Sequence, residues 1–265
     1  MDSILAERVM AIVREAADIM LHADFTVRQK GGVEDLVTSS DVAVQKFLVE
    51  KITPLVPGAG FLLEEGGSHD SERGSVWIID PIDGTMNFAR HIPECAICVA
   101  LEQDGQMQIG VVYNPFREMM FHAVRGRGAF LNGQPIHVSD RPFRDSIFEC
   151  ALCNYRKQFA PQCDAVIMEL FPRVNDIRRF GSCALEICYI AMGRYELHFE
   201  MRVQPWDIAA AGLILTEAGG CMCTLHGAAN RFRTPELVCC ANSRENLSLL
   251  GEVVSRHIPT IPYYD

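Results

Sequence analysis

Short apolar segments separated by turn residues predict a sheet in the first half of the chain. Asp104-Gly105 and Asn132-Gly133 are turn dipeptides of the kind that join antiparallel strands. Short apolar segments with this spacing predict a mostly antiparallel sheet. We place its strands at residues 60–63, 76–80, 96–102, 110–114, 119–124 and 129–131.

Helical periodicity surrounds this sheet. Apolar residues recur at steps of three and four over residues 3–21, which predicts an amphipathic helix. A second helix is expected at about 42–52, and the polar segment 31–41 before it is predicted as a turn. In the second half, strands and helices alternate, which favours a layered α/β arrangement. We place strands there at 146–153, 176–180, 195–200, 221–225 and 237–241, and helices at 161–171, 183–192, 206–218 and 243–256.

The domain organisation expected from this pattern is one domain over residues 1–265. No repeat, low-complexity segment or linker separates the halves, about 1–140 and 141–265, so we expect them to share one interface. A chain of 265 residues buries about 73% of its extended surface on folding, enough for a sizeable core. The fold class is therefore α+β, with N-terminal helices and a mostly antiparallel sheet followed by an alternating α/β half.

Charge and apolar run length exclude several classes of partner. The net charge is −10 and no run of Lys or Arg stands out, so neither nucleic acid nor an anionic membrane is expected as a partner. The longest apolar stretches have seven or eight residues, whereas a membrane span needs about 20. Charged residues interrupt the N-terminal segment, which lacks the apolar block of a secretory signal. We therefore expect a cytoplasmic protein.

Eleven cysteines include two C-x-x-C pairs, Cys95/Cys98 and Cys150/Cys153, which suggest zinc at first sight. Both pairs lie in short apolar segments predicted as strands. Residues i and i+3 of a strand point to opposite faces, so neither pair is expected to close on one metal ion. We interpret these cysteines as small buried apolar residues in a reducing compartment.

The segment VWIIDPIDGTMNF, residues 76–88, carries the strongest chemical signal. An apolar strand is expected to end at Asp80, Pro81 to force a turn, and Asp83 to follow before a helical turn that opens at Gly84 and Thr85. Paired carboxylates suit hard cations such as Mg²⁺, and the free N–H groups of a helix start suit an anion. A cation site beside an anion site predicts a phosphate-ester site. The alternative is a structural role without chemistry, in which one Asp caps a helix and the other lies in a turn.

Two more acidic segments strengthen that interpretation. FLLEEGG (61–67) ends a predicted strand with Glu64-Glu65, and PWDIAAAGLILTEAGG (205–220) places Asp207 in the first turn of an apolar helix. Each has an ordinary explanation by itself, as solvated loop charge or as a favourable acidic residue at a helix start. Their occurrence together in one chain favours a shared metal site.

These residues resemble the inositol monophosphatase family. VWIIDPIDGTMNF is similar to its signature D-P-x-D-G-T-x-N-F, PWDIAAAGLILTEAGG to W-D-x-A-A-G…E-A-G-G, and DLVTSSD (35–41) to D-L-V-T-x-x-D, with Lys30 five residues before it. The resemblance runs in order from the first helix to the last and looks closest to bacterial members. One departure is Leu63, where the family usually has glycine before the two glutamates.

The resemblance implies a layered α-β-α-β-α sandwich, two or three Mg²⁺ ions, sensitivity to lithium and a homodimer. It implies that Glu64 and Thr85 activate a water, with Asp41 as the hydrogen-bond partner of Thr85, and that no phosphoenzyme forms. The implied metal ligands are Glu64, Asp80, Asp83, Asp207 and the carbonyl of Ile82. The implied substrate-binding residues are Gly84, Thr85, Gly181, Ser182, Cys183, Glu200 and Asp207.

The function implied is a Mg²⁺-dependent phosphomonoesterase acting on inositol 1-phosphate. A broader enzyme of the same fold is the alternative, taking fructose 1,6-bisphosphate, the 2′-phosphate of NADP or 3′-phosphoadenosine 5′-phosphate. A non-catalytic phosphosugar-binding protein is the alternative of another class. Haloacid dehalogenase-type phosphatases use D-x-D-G-T, and the longer D-x-x-D-G-T spacing from Asp80 argues against them.

Overall fold

The computed structural model describes residues 2–22, 24–30, 36–67, 74–224 and 236–258. Within these ranges the helices are α1 (Asp2–His22), α2 (Ser39–Ile52), α3 (Thr85–Ala89), α4 (Ala160–Leu170), α5 (Cys183–Ala191), α6 (Pro205–Glu217) and α7 (Arg244–His257). No helix of the described residues is both long and apolar enough to cross a bilayer.

Among the described residues, the first sheet has seven strands in the order β3-β4-β5-β6-β7-β8-β9. They are β3 (Gly60–Leu63), β4 (Ser75–Asp83), β5 (Ala96–Gln103), β6 (Gln106–Asn114), β7 (Met119–Val124), β8 (Ala129–Leu131) and β9 (Gln134–Ile136). Only the β3–β4 pair is parallel; each other neighbouring pair is antiparallel. The predicted antiparallel sheet is confirmed, and β9 is a strand that the sequence pattern did not predict.

The second sheet is mixed, with the order β11-β10-β12-β14-β13. Its strands are β10 (Ile147–Cys150), β11 (Asp176–Arg178), β12 (Leu197–Val203), β13 (Cys221–Thr224) and β14 (Glu236–Ala241). The strand β10 is parallel to both β11 and β12, whereas β14 is antiparallel to β12 and β13. Parallel strands need crossover connections, which explains the helices that alternate with strands here.

Three apolar cores join these elements into five layers. One core lies between the first sheet and α1 and α2, and includes Val13, Leu48 and Trp77. The central core packs α5 and α6 between the two sheets. The third core lies between the second sheet and α4 and α7, and includes Phe148 and Leu250. The α-β-α-β-α sandwich implied by the resemblance is therefore confirmed.

Three local expectations need correction. The strands β1 (Val27–Gln29) and β2 (Leu36–Thr38) form a small antiparallel pair, and β2 lies in the segment predicted as a turn. The remainder of that predicted turn, residues 31–35, falls outside the described residues. The strand β4 does not end at Asp80: it continues to Asp83 with an irregular register against β5. The strand predicted at 146–153 is shorter than expected, because β10 ends at Cys150.

The two C-x-x-C pairs differ in their placement. Cys95 lies in the core under α1 and α2, and Cys98 lies in the central core, so they point to opposite faces of the first sheet as predicted. Cys150 and Cys153 share one core, because the strand ends before Cys153 and the alternation rule does not apply to it. All eleven cysteines are free thiols.

Candidate active site

Two buried carboxylates and one half-buried carboxylate converge where β4 meets the start of α6. Oxygen atoms of Asp80, Asp83 and Asp207 all lie within 4.8 Å of one another. Asp80 and Asp83 come from the irregular end of β4, and Asp207 comes from the first turn of α6. Regular alternation would send Asp80 and Asp83 to opposite faces of the sheet, and the register irregularity between them allows both carboxylates to reach the same site.

Hydrogen bonds from the main chain and one serine hold these carboxylates in place. The Ile82 N–H donates to Asp80 Oδ1 at 2.9 Å, and the Gln204 N–H donates to Asp207 Oδ2 at 2.8 Å. Asp83 Oδ2 accepts from the Ser182 hydroxyl at 2.5 Å and from the Ala184 N–H at 2.8 Å. The start of α5 therefore orients Asp83 across about 100 residues of sequence.

Glu64 approaches the same cluster from β3. Because β3 and β4 are parallel, their carboxyl ends meet at one edge of the sheet. Lys30 Nζ lies 3.2 Å from Glu64 Oε1 and also pairs with Glu65. Leu63, which replaces the usual glycine, is a buried strand residue of the apolar core, so the departure leaves Glu64 at the strand end.

The Thr85 hydroxyl joins α3 to α2. It donates to Asp41 Oδ1 at 3.2 Å and lies 3.0 Å from the Ile82 carbonyl oxygen. Asp41 is fully buried, and its other oxygen accepts the Thr38 N–H at 2.8 Å in the capping box of α2. The pairing of Thr85 with Asp41 that the resemblance implies is present in the structure.

Gly84 precedes Thr85 in the left-handed region, with φ of 87°. A Cβ atom at this position would lie 2.9 Å from the Glu94 carbonyl oxygen and 3.1 Å from that of Gly181. Glycine is therefore required both by the backbone angle and by the space available.

Burial raises the pKa of every carboxyl group of the cluster. The pKa of Glu64 rises to about 7 through desolvation, although Lys30 opposes the shift. The pKa of Asp83 rises to about 6 for the same first reason, opposed by the Ser182 hydrogen bond. Desolvation, followed by repulsion from neighbouring carboxylates, raises the pKa of Asp80 and Asp207 well above the usual range. Uncompensated acidic groups at this depth favour an incoming cation.

A cavity of about 370 Å³ opens over the cluster. Of the residues implied to act in the site, only Asp41 does not line the cavity; it lies behind Thr85. The cavity is lined by Leu36, Glu64, Asp80, Ile82, Asp83, Gly84, Thr85, Met86, Ala151, Asn154, Lys157, Arg179, Gly181, Ser182, Cys183, Glu186, Glu200 and Asp207.

Sequence reasoning missed the two cations of this lining, Lys157 and Arg179. Arg179 immediately precedes the Phe180-Gly181-Ser182 loop, so a basic residue beside a proposed substrate loop was an available signal. Lys157 lies in a short 3₁₀ segment, Asn154–Phe159, with no motif around it. Both side chains bring positive charge to an otherwise acidic cavity.

One implied substrate-binding residue, Ser182, also contacts the carboxylate cluster. The Ser182 side chain is fully buried and its hydroxyl donates to Asp83, so it supports a carboxylate of the cluster. Glu200, on β12, keeps 24% of its side chain exposed beside the cavity, and burial raises its pKa to about 7.

The donor set of the cluster fits Mg²⁺. Its side-chain ligand atoms are all carboxylate oxygens, which hard cations prefer, and Asp80, Asp83 and Asp207 are already grouped. The raised pKa values also favour a bound cation, because a cation would replace the protons that buried carboxylates otherwise retain.

Comparison with known proteins agrees with this geometry. The model of the Inositol monophosphatase family matches residues 2–258. Inositol-1-monophosphatase of Bacillus subtilis is 35% identical over 213 residues, which cover 78% of this chain and 79% of that protein. Nus factor SuhB of Escherichia coli K12 is 35% identical over 231 residues, covering 83% of this chain and 86% of that protein.

Solved structures show the same likeness. An IMPase from Thermotoga maritima superposes with a TM-score of 0.85 at 29% identity, covering 98% of this chain and 99% of that one. This chain therefore belongs to the inositol monophosphatase family, whose enzymes are Mg²⁺-dependent phosphatases.

Proposed function

We propose that this member of the inositol monophosphatase family hydrolyses inositol 1-phosphate to inositol and phosphate. The observation that carries the proposal is the carboxylate cluster of Asp80, Asp83 and Asp207 at a cavity that Glu200 also lines. The cluster suits a cation-bound phosphate, and Glu200 offers an acceptor for the hydroxyl groups of a polyol.

Mg²⁺ would be held by Glu64, Asp80, Asp83, Asp207 and the Ile82 carbonyl. When bound, it would lower the pKa of a water and stabilise charge on the phosphate oxygens. Thr85 and Glu64 would orient the attacking water, because both line the cavity and Asp41 holds the Thr85 hydroxyl. The backbone N–H groups of Gly84 and Thr85 would donate to phosphate oxygens. Water then displaces the alcohol in line, with no covalent intermediate.

The Thr85–Asp41 pair supports catalysis over simple binding. Asp41 is fully buried and linked to both Thr38 and Thr85, so α2 and α3 are joined at a single hydroxyl beside the cavity. A protein that only bound phosphosugars would not need a hydroxyl held in this way.

A broader substrate range is the second candidate, and Arg179 and Lys157 favour it. Both line the cavity and would attract a second phosphate, as in fructose 1,6-bisphosphate, the 2′-phosphate of NADP or 3′-phosphoadenosine 5′-phosphate. Glu200 and Glu186 line the same cavity and would repel that phosphate. We favour the monophosphate because Glu186 and Glu200 offset the two cations, and Glu200 also offers an acceptor for a polyol hydroxyl.

We also propose that the chain acts as one domain in the cytoplasm, as a homodimer, without a nucleic-acid partner. The net charge of −10 supports the last point. Size-exclusion chromatography with light scattering tests the dimer, and a single mass equal to one chain would contradict it.

Phosphate release across a panel of esters tests the substrate proposal. The panel contains inositol 1-phosphate, the three alternative phosphates and p-nitrophenyl phosphate, each with Mg²⁺ and with excess EDTA. We expect the highest kcat/KM for inositol 1-phosphate and no turnover in EDTA. A preference for a bisphosphate would support the second candidate, and turnover in EDTA would contradict the metal mechanism.

A further inference from the structure

A second group of potential ligands lies beside the cavity, and it differs from the first in chemistry. The sulfur of Cys183, Nε2 of His198 and a carboxylate oxygen of Glu200 all lie within 4.8 Å of one another. Cys183 Sγ and His198 Nε2 are 3.8 Å apart, and His198 Nε2 and Glu200 Oε2 are also 3.8 Å apart. The group therefore combines one sulfur, one nitrogen and one oxygen donor.

The fold brings these side chains together from two elements. His198 and Glu200 are alternate residues of β12, so they point to the same face of the second sheet. Cys183 is the first residue of α5, which packs on that face. His198 is fully buried, whereas Cys183 and Glu200 line the cavity. An ion that enters the cavity can thus reach the group from one side.

We propose that Cys183, His198 and Glu200 form a binding site for a thiophilic divalent cation, represented by Zn²⁺. Thiolate and imidazole donors favour Zn²⁺ and disfavour Mg²⁺. In a tetrahedral zinc site, ligand atoms are about 3.3–3.8 Å apart, given bonds of about 2.0–2.3 Å. The two separations that involve His198 Nε2, each 3.8 Å, lie at the upper end of this range, and Cys183 and Glu200 approach within 4.8 Å. The fourth position would face the cavity.

The surroundings of His198 support the assignment. Its Nδ1 atom is buried without a hydrogen bond among the described residues, and Glu186 Oε2 lies 3.4 Å away. Metal-bound histidines commonly turn the second ring nitrogen to a carboxylate, which fixes the tautomer with Nε2 toward the metal. Glu186 is positioned for that role.

Charge balance also favours a bound cation. Binding forms a sulfur–zinc bond at Cys183 and releases the thiol proton to solvent. One thiolate, one carboxylate and Zn²⁺ then sum to zero net charge in a largely buried site. Without the ion, desolvation raises the pKa of Glu200 and so disfavours its charged form; a hydrogen bond with Cys183 opposes this shift, and repulsion from Asp83 adds to it.

Occupation of this site would inhibit the phosphatase, and this consequence rests on the proposed function. Zn²⁺ would take Glu200, the acceptor proposed for the substrate hydroxyl, and would occupy the adjoining part of the cavity. We therefore expect inhibition that is competitive with inositol 1-phosphate and persists in saturating Mg²⁺.

Metal binding is tested directly with the full-length protein in saturating Mg²⁺. Co²⁺ added as a spectroscopic probe should give a thiolate charge-transfer band, and Zn²⁺ should abolish that band by competition. Cys183→Ala, the substitution least disruptive to the fold, should remove the band and weaken Zn²⁺ binding by about 100-fold or more. His198→Asn should have the same effect.

Cys223→Ser is the matched control, because Cys223 is a partly exposed thiol of the same sheet that lies opposite Cys239. It should retain the band in full. Loss of the band in Cys223→Ser with retention in Cys183→Ala would place the site elsewhere and overturn the proposal. Absence of any band in the unmodified protein would also overturn it.

The activity measurement separates this proposal from the proposed function. Zn²⁺ inhibition, expressed relative to the activity of each variant without Zn²⁺, should weaken about 100-fold in Cys183→Ala. Unchanged inhibition in that variant would mean that Zn²⁺ acts at the Asp80, Asp83 and Asp207 cluster, and it would overturn the inhibitory role. If inositol 1-phosphate is not hydrolysed, only the proposed function fails, since Co²⁺ and Zn²⁺ binding does not depend on turnover.

Discussion

Burial beside other carboxylates determines how the individual acidic residues of the site ionise. Desolvation and repulsion from Glu64, Asp83 and Asp207 raise the pKa of Asp80 well above that of a free aspartate. Such a group costs folding free energy whenever it is ionised without a cation. At the residue scale, these carboxylates are therefore suited to metal binding, and their burial lowers the metal-free stability.

The variant Asp80→Asn should separate these two effects. We expect kcat to fall by about 100-fold or more, because a charged metal ligand is lost. In EDTA, the free energy of unfolding should stay equal or rise, since one buried like charge is removed. Urea denaturation checks this, with Asp140→Asn at an exposed position as the control. A large loss of stability in EDTA would mean that Asp80 is structural.

The pH dependence of stability follows from the same shifts. The pKa values of Asp83, about 6, and Glu64, about 7, exceed those of the unfolded chain. The folded protein therefore binds more protons, and the stability contributed by these groups is lost as the pH rises from about 4 through about 7.

Mg²⁺ should reverse this loss, because it binds the deprotonated carboxylates. We expect Mg²⁺ to raise the melting temperature more at about pH 8 than at about pH 5.5, where protons compete with it. Thermal denaturation at both pH values, with Mg²⁺ and with EDTA, measures the difference. An equal increase at the two pH values would indicate binding that does not involve these carboxyl groups.

Glu200→Gln tests the residue proposed to choose the substrate. Glutamine keeps an acceptor and removes the charge, so we expect KM for inositol 1-phosphate to rise by about 5–30-fold, equivalent to about 1–2 kcal/mol. Activity on p-nitrophenyl phosphate should change little, and activity on a bisphosphate should improve. Steady-state kinetics on all three esters decides; an equal loss of kcat on each would place Glu200 among the metal ligands.

At the element scale, the strand-to-helix junction at Gly84 holds the site together. It connects the carboxylates of β4 to α3, and Phe88 N–H closes the first turn on the Gly84 carbonyl at 3.0 Å. Carbonyl groups of Glu94 and Gly181 crowd the position of a Cβ atom. The junction thus brings the loop before α5 against the end of β4.

Gly84→Ala should therefore destabilise the protein more than the same change at an open turn. We expect a loss of about 2–4 kcal/mol, combining left-handed strain of about 1–2 kcal/mol with a main-chain clash. Gly133→Ala is the control, because Gly133 has φ of 79° and nothing within 4 Å of its Cβ position. It should lose only the strain, and urea denaturation compares the two. Equal losses of unfolding free energy in the two variants would show that the carbonyl groups near Gly84 can move away without a free-energy penalty.

At the scale of the whole molecule, α6 lies directly on the first sheet. A Cβ atom on Gly110 of β6 would be 2.5 Å from the Ala210 carbonyl oxygen of α6. This backbone-to-backbone approach sets the distance between the two halves. It also positions Asp207, one turn earlier on α6, against the carboxylates of β4.

Gly110→Ala should force the halves apart and affect both stability and activity. We expect a loss of about 2–3 kcal/mol from overpacking, with reduced kcat because Asp207 moves with α6. Gly251→Ala in α7, where nothing lies within 4 Å of the Cβ position, should instead stabilise by about 0.5–1 kcal/mol. Denaturation midpoints and phosphate release measure both variants. Normal activity in Gly110→Ala would show that Asp207 tolerates the displacement.

Local patterns in the sequence were sufficient for most elements and for identifying the acidic segments that the fold brings together. The spacing of apolar segments predicted the antiparallel sheet, because strands and turns depend mainly on neighbouring residues. Glu64 follows β3 directly and Asp80 and Asp83 lie at the end of β4, and the occurrence of these acidic segments in one chain favoured a shared site. The strands β1, β2 and β9 were missed because each has three residues and depends on its pairing partner.

Only the tertiary structure decided which distant side chains meet. Ser182 donates to Asp83 although 99 residues separate them, and Cys183 lies beside His198 because α5 packs on β12. Arg179 joins the cavity only through the course of the loop before α5. The physical reason is that periodicity specifies which face of an element is buried, whereas contacts between elements depend on how whole layers pack.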